Sequence, residues 1–152
     1  MNDPAMDKTD KAILNIINQA FPIKQDPYNG LCSQLGISED EVMERIKKMR
    51  SSGIIRRIGA TINPKALGWY STLCAVDIAS EEIDAFALVV NAYPEVTHNY
   101  VRSGHPNCWF TLIGQSKERC EEIIDEIRTK TKKDILDLPA RRVFKIKVGF
   151  KL

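Results

Sequence analysis

The densest run of reactive side chains lies at 96–111, VTHNYVRSGHPNCWFT. It holds both histidines of the chain, His98 and His105, together with Asn99, Tyr100, Arg102, Asn107 and Trp109. Histidine ligates iron or moves a proton near neutral pH. Tyrosine donates a hydrogen bond or a proton, and arginine clamps a carboxylate through two parallel bonds. If 96–102 is a strand, alternation puts His98, Tyr100 and Arg102 on one face with Val96, and Asn99 and Val101 on the other. A bland reading stands beside this one, in which His98 is a hydrogen-bonded strand residue at a subunit contact. Spacing alone leaves both open.

The elements that must position this row follow from periodicity. Residues 7–64 read as a helical unit. Asp7 caps a helix with Ile13, Leu14, Ile16 and Ile17 inward, and Phe21-Pro22 ends it. A second helix covers 27–35, and Gly36 stops it. Ser38 opens a third, with Ser38-x-x-Glu41 as a capping box and Val42, Ile46 and Met49 as its buried stripe. IIRRIGATI at 54–62 reads as a strand or β-wing, so the unit has the pattern of a winged helix-turn-helix. Pro64 to Gly68 is the junction. In the second unit, 67–152, strands are expected at 67–78, 96–102, 108–114 and 143–152. Helices are expected from Ser80 to about Ala92 and from Ser116 to about Thr131. This β-α-β-β-α-β order predicts an α+β fold with a ferredoxin-like second domain. One sheet face is left uncovered, and a partner subunit is the simplest cover.

The expected recognition helix argues against DNA. It begins with Glu39, Asp40 and Glu41, followed by Glu44, which balance Arg45, Lys47, Lys48 and Arg50. Acids in a first turn cap a helix well but repel phosphates. Net charge is only +2, from 22 basic and 20 acidic residues, which is too weak to mark a nucleic-acid binder. Arg56 and Arg57, adjacent on an expected strand, would face opposite ways, one of them toward an anionic partner. The four cysteines form no CxxC pair, which excludes zinc-ribbon and iron–sulfur patterns. Buried, reduced thiols and the lack of an opening charged-then-apolar leader suit a cytoplasmic protein, and no apolar run approaches a membrane span. There is no hydrolase elbow, P-loop or dinucleotide fingerprint.

Three stretches add a resemblance: GIIRRIGATINPKALGW (53–69), YPEVTHNYVRSGHPNCWFTLIG (93–114) and LPARRVFKIKVGF (138–150). The whole chain resembles the Lrp/AsnC superfamily. Within it, the chain is similar to the siroheme decarboxylases of the alternative haem route and the related haem d1 maturation proteins, and more to the A-type subunit than the B-type. The resemblance implies loss of two acetate carboxyls from siroheme, giving didecarboxysiroheme, with no cofactor beyond the iron-tetrapyrrole itself. It implies a B-type partner in a heterodimer, or a self-dimer. His98 and Tyr100 become candidate proton donors, with His98 alternatively an axial ligand to the siroheme iron. Asn99, Arg102, Arg56, Arg57, Arg141, Arg142, Trp109 and His105 become candidate substrate contacts. The rival reading is an Lrp/AsnC-type DNA-binding regulator that senses a haem-like ligand.

Overall fold

A computed structural model describes residues 6–144 and 152. They separate into two compact units, one running to Ala60 and including Leu152, the other spanning Thr61–Phe144.

The first unit contains helices α1 (Lys8–Ala20), α2 (Asn29–Leu35) and α3 (Glu39–Ser51). Asp7 accepts the Asp10 N–H at 2.7 Å, and the Asp10 carboxylate accepts the Asp7 N–H at 3.2 Å, so both ends of the box are made. Gly36 closes α2 at φ 68°, a conformation in which a Cβ is strained. Ser38 Oγ accepts the Glu41 N–H at 3.2 Å, as expected. Glu41 does not complete that box: its carboxylate takes Arg45 Nε at 3.0 Å instead. Arg45 also reaches Asp7 at 2.7 Å and Asp10 at 2.8 Å, tying α3 to the start of α1. The Asp10 N–H, and then Arg45, hold the Asp7 carboxyl below the usual carboxylate range. Ile13, Leu14, Leu31, Val42, Ile46, Met49 and Ile55 form the core. Asn15 pairs with the backbone of Leu152 through bonds of 3.0 and 3.2 Å.

The expected wing is not a strand. Residues 54–62 run as irregular, mostly exposed chain after α3. A strand needs a partner to satisfy its backbone, and the first unit offers none among the described residues. Arg56 and Arg57 therefore do not alternate across a sheet. Both are exposed, and Arg57 Nη2 donates to Ala60 O at 3.0 Å.

The second unit is one antiparallel sheet with strand order β2-β3-β1-β4, with α4 and α5 on one face. Its strands are β1 (Tyr70–Val76), β2 (Val96–Val101), β3 (Cys108–Gly114) and β4 (Leu136–Leu138). Its helices are α4 (Ile83–Asn91) and α5 (Lys117–Thr131). This is the ferredoxin-like order, with three corrections. β1 starts at Tyr70, because Pro64–Leu67 forms a short 3-10 turn closed by Gly68 at φ 73°. Ser80 caps nothing; a 3-10 turn at Ser80–Glu82 precedes α4. The fourth strand is Leu136–Leu138, paired with β1, and Val143 and Phe144 lie outside any strand. The rest of the expected 143–152 strand, 145–151, lies outside the described residues.

Cys74, Val76, Cys108, Phe110, Leu112, Ile123, Ile124 and Ile127 form the heart of the core between sheet and helices. Ser116 caps α5 by accepting the Arg119 N–H. Burial, and then the charge of nearby Asp137, push the Cys74 thiol up to about 12.

Candidate active site

Strand register assigns the faces. Cys74 pairs with Phe110 and Val76 with Cys108, all in the helix-covered core. The intervening pair Ala75 and Trp109 therefore points to the open face, as do Leu73 and Thr111. On β2, His98 pairs with Thr111 and Tyr100 with Trp109, so both lie on the open face. Val96, however, pairs with Leu112 and packs against the core. A bulge between Val96 and His98 inserts Thr97 and breaks the alternation. The expectation that Val96 shares a face with His98 is thus corrected. Had the chain alternated regularly from a core-facing Val96, His98 and Tyr100 would point into the core.

The row is coupled by contact. The Arg102 guanidinium lies 4.8 Å from the Tyr100 ring centroid and 5.4 Å from that of Trp109. Its Nη2 donates to the Tyr100 hydroxyl at 3.2 Å, leaving the phenolic hydrogen free to donate elsewhere. Trp109 Nε1 donates to Pro106 O at 2.8 Å, which fixes the indole. His98 Nδ1 lies 3.1 Å from Thr97 Oγ1, which donates in turn to Thr111 O at 3.5 Å. In either ring tautomer this contact occupies Nδ1 and leaves Nε2 for a ligand. Nε2 has no partner among the described residues.

The remaining candidates are dispersed. Asn99 pairs with Phe110 on the helix side, and its amide donates to Asn91 Oδ1 of α4 at 3.0 Å. That bond fixes α4 against β2; it does not put Asn99 beside His98 and Tyr100. His105, in the β2–β3 turn, bonds Asp77 Oδ1 through Nδ1 at 2.7 Å. Arg141 and Arg142 are exposed beyond β4, and Arg142 lies 4.8 Å over the Phe144 ring. Arg56 and Arg57 belong to the first unit. Sequence reasoning missed Asp77, Thr97 and Thr111, which support the histidines. Two threonines and one aspartate carry no spacing signal.

The open face is also apolar. Leu136 and Leu138 sit there opposite Ala75 and Leu73, and remain 47% and 43% exposed. A sheet face with Arg102 and aromatics at one edge and aliphatics at the other suits a planar ligand that carries carboxylates. By contrast, a 630 Å³ groove in the first unit is lined by Asp7, Asp10, Asp40, Glu41 and Glu44 against Arg45 and Lys48. Its charge repels such a ligand. Among the described residues, no group of three or more His, Cys, Asp or Glu side chains could hold a metal ion.

Comparisons with known proteins bear on the family and the fold. Residues 66–145 match the family model of the AsnC-like ligand binding domain. Residues 10–56 match that of the siroheme decarboxylase NirDL-like HTH domain. The chain is 44% identical over 147 residues to the siroheme decarboxylase alpha subunit of Desulfovibrio desulfuricans, covering 97% of this chain and 85% of that one. It is 36% identical over 132 residues to the siroheme decarboxylase beta subunit of Methanosarcina barkeri, covering 83% and 86%. A crystal structure of the siroheme decarboxylase NirDL in complex with an iron-uroporphyrin III analogue superposes with a TM-score of 0.70 at 28% identity, covering 93% of this chain and 47% of that one. With an acidic α3, a ferredoxin-like sheet and a His-Tyr-Arg-Trp row on its open face, the chain belongs to the siroheme decarboxylase family, as an alpha-type member on the Lrp/AsnC-like plan.

Proposed function

We infer that this chain is the alpha-type subunit of a siroheme decarboxylase and removes two acetate carboxyls of siroheme as CO2, giving didecarboxysiroheme. The observation that carries this reading is the Tyr100–Arg102–Trp109 cluster, with His98 on the same face of an otherwise apolar sheet surface. A beta-type subunit is the partner. The substrate brings its own iron. Among the described residues, no helix is long and apolar enough to cross a membrane, and we place the enzyme in the cytoplasm.

The chemistry asks for two opposed things. The carboxylates that stay must be held, and those that leave must not be. A carboxylate bound tightly in the ground state loses CO2 slowly. Arg102 supplies the hold at one end of the row, and Arg141 and Arg142 are the further cations of this unit proposed for it. The aliphatic part of the face offers the drier surroundings in which an acetate departs. In each step the bond between the acetate methylene and its carboxyl carbon breaks. The electron pair passes into the conjugated ring, and a proton then forms the third C–H bond of the new methyl. Each CO2 lost thus consumes one proton and no external electrons.

His98 and Tyr100 are the proposed proton donors. The Arg102 guanidinium lies against the Tyr100 oxygen and offsets charge developing there as the proton leaves. His98 has a second reading, carried by its outward Nε2: ligation of the substrate iron. His98→Ala separates the two. Lost siroheme binding means ligation, whereas retained binding with lost turnover means proton transfer.

The functional reading itself is tested by anaerobic incubation with siroheme, with and without the beta-type subunit, followed by mass spectrometry. Loss of two CO2, about 88 Da, is expected. An unchanged tetrapyrrole in both cases overturns the reading. Salt-dependent duplex binding would then support the regulator.

A further inference from the structure

The turn at 103–107 is fixed more firmly than a surface turn requires. The Asn107 amide mimics a backbone unit: Nδ2 donates to Ile78 O at 2.7 Å, and Oδ1 accepts the Ile78 N–H at 2.9 Å. The Arg102 N–H donates to Asn107 O at 2.8 Å, and the Trp109 indole donates to Pro106 O at 2.8 Å. Four bonds thus bind the turn to the end of β1 and to the row on the open face. Against this fixed frame, His105 Nδ1 meets Asp77 Oδ1 at 2.7 Å. The two side chains are 84% and 58% exposed. An ion pair this exposed adds little stability, and the turn does not need it.

What the contact does is set the ring. With Nδ1–H given to Asp77, the protonated imidazole has one donor left, Nε2–H. Nε2 has no partner among the described residues. A ring held by a carboxylate on one nitrogen, when it carries both protons, presents a directed, positively charged donor at the other. Such a donor takes an anionic oxygen.

We propose that Asp77 is a positioning residue that orients His105 to hold a peripheral carboxylate of the tetrapyrrole at the turn end of the open face. This rests on the siroheme reading above and deepens it. Arg102 and His105 then grip the substrate rim from two sides of the same turn, one through a stacked guanidinium and the other through an oriented imidazole. Asp77 touches no substrate and acts only through His105.

The test uses the chain with its beta-type subunit and anaerobic absorption titration with siroheme. His105→Ala and Asp77→Asn should each weaken binding about tenfold, the loss of one charge-assisted hydrogen bond. The double variant should be no weaker than His105→Ala, because Asp77 acts through that ring. Asp77→Glu should recover part of the affinity. The chain has only two histidines, so ¹⁵N spectra of the ring nitrogens assign readily through His98→Gln. They should show His105 carrying a proton on both ring nitrogens in the siroheme-bound wild type and a neutral ring in mixed tautomers in Asp77→Ala. Wild-type affinity in Asp77→Asn, additive losses in the double variant, or a neutral His105 in the siroheme-bound wild type would each overturn the proposal. Wild-type protein that takes up no siroheme overturns the functional reading and this proposal together.

Discussion

Replacing Arg102 probes the row at its most connected point. Arg102→Ala removes two guanidinium–ring contacts, at 4.8 and 5.4 Å, and a 3.2 Å bond to Tyr100. At an exposed site each ring contact is worth about 0.5–1 kcal/mol, so the fold should lose only about 1–2 kcal/mol. The substrate loses a charged donor to a carboxylate, worth about 1.5–3 kcal/mol, or about a tenfold to hundredfold weaker Kd. Arg102→Lys keeps the charge but not the planar stack, and should fall between wild type and alanine. Urea denaturation gives the first quantity, and anaerobic titration with siroheme the second. A variant with wild-type affinity would refute the assignment of Arg102 to the substrate clamp. A variant that loses stability far beyond 2 kcal/mol would refute the view that the row is built for ligand contact more than for the fold.

Other predictions follow from single contacts. A Cβ on Gly114 would lie 2.8 Å from Cys120 Sγ, a buried atom behind the sheet, so Gly114→Ala should cost about 1–3 kcal/mol in urea denaturation. Asn107→Ala removes both bonds to Ile78 and should cost about 1–3 kcal/mol while weakening siroheme binding, measured on the same preparation. The folded chain keeps the Cys74 proton up to about 12, whereas the unfolded thiol ionises from 9.0. That contribution is whole below 9.0 and is lost as pH rises toward the folded value, at about 1.4 kcal/mol per pH unit, as urea midpoints across alkaline pH should show. At neutral pH a thiol reagent should modify half-buried Cys32 well before the buried Cys74, Cys108 and Cys120.

The helices were legible because their signals are local. Asp7, Gly36, Ser38 and Ser116 stand where the chain enters or leaves a helix, and Val42, Ile46 and Met49 fall on one stripe. The strands that escaped the sequence depend on partners. Residues 54–62 have β-branched character but nothing to pair with among the described residues of their unit. Leu136–Leu138 is a strand because β1 offers an edge, and three residues carry no visible period. Which candidate side chains share the open face was legible only in part. His98 and Tyr100 share a face, Arg102 touches Tyr100, and Asn99 lies on the other face as alternation requires, but Val96 turns to the core because one bulged residue shifts the parity of everything before it. Such a bulge has no signature in VTHNY. Nor does the sequence place Asp77 beside His105, since that contact spans 28 residues and is set by how β1 meets the β2–β3 turn.

The central claim is that siroheme lies on the open face of this sheet, against His98, Tyr100, Arg102 and Trp109. A crystal structure of the chain with its beta-type subunit and siroheme, grown without oxygen, tests it directly. The account predicts the macrocycle over this face, a rim carboxylate on the Arg102 guanidinium, and His98 Nε2 directed at the iron or at a reacting side chain. A macrocycle bound to the helical face, or in the acidic groove of the first unit, would contradict it.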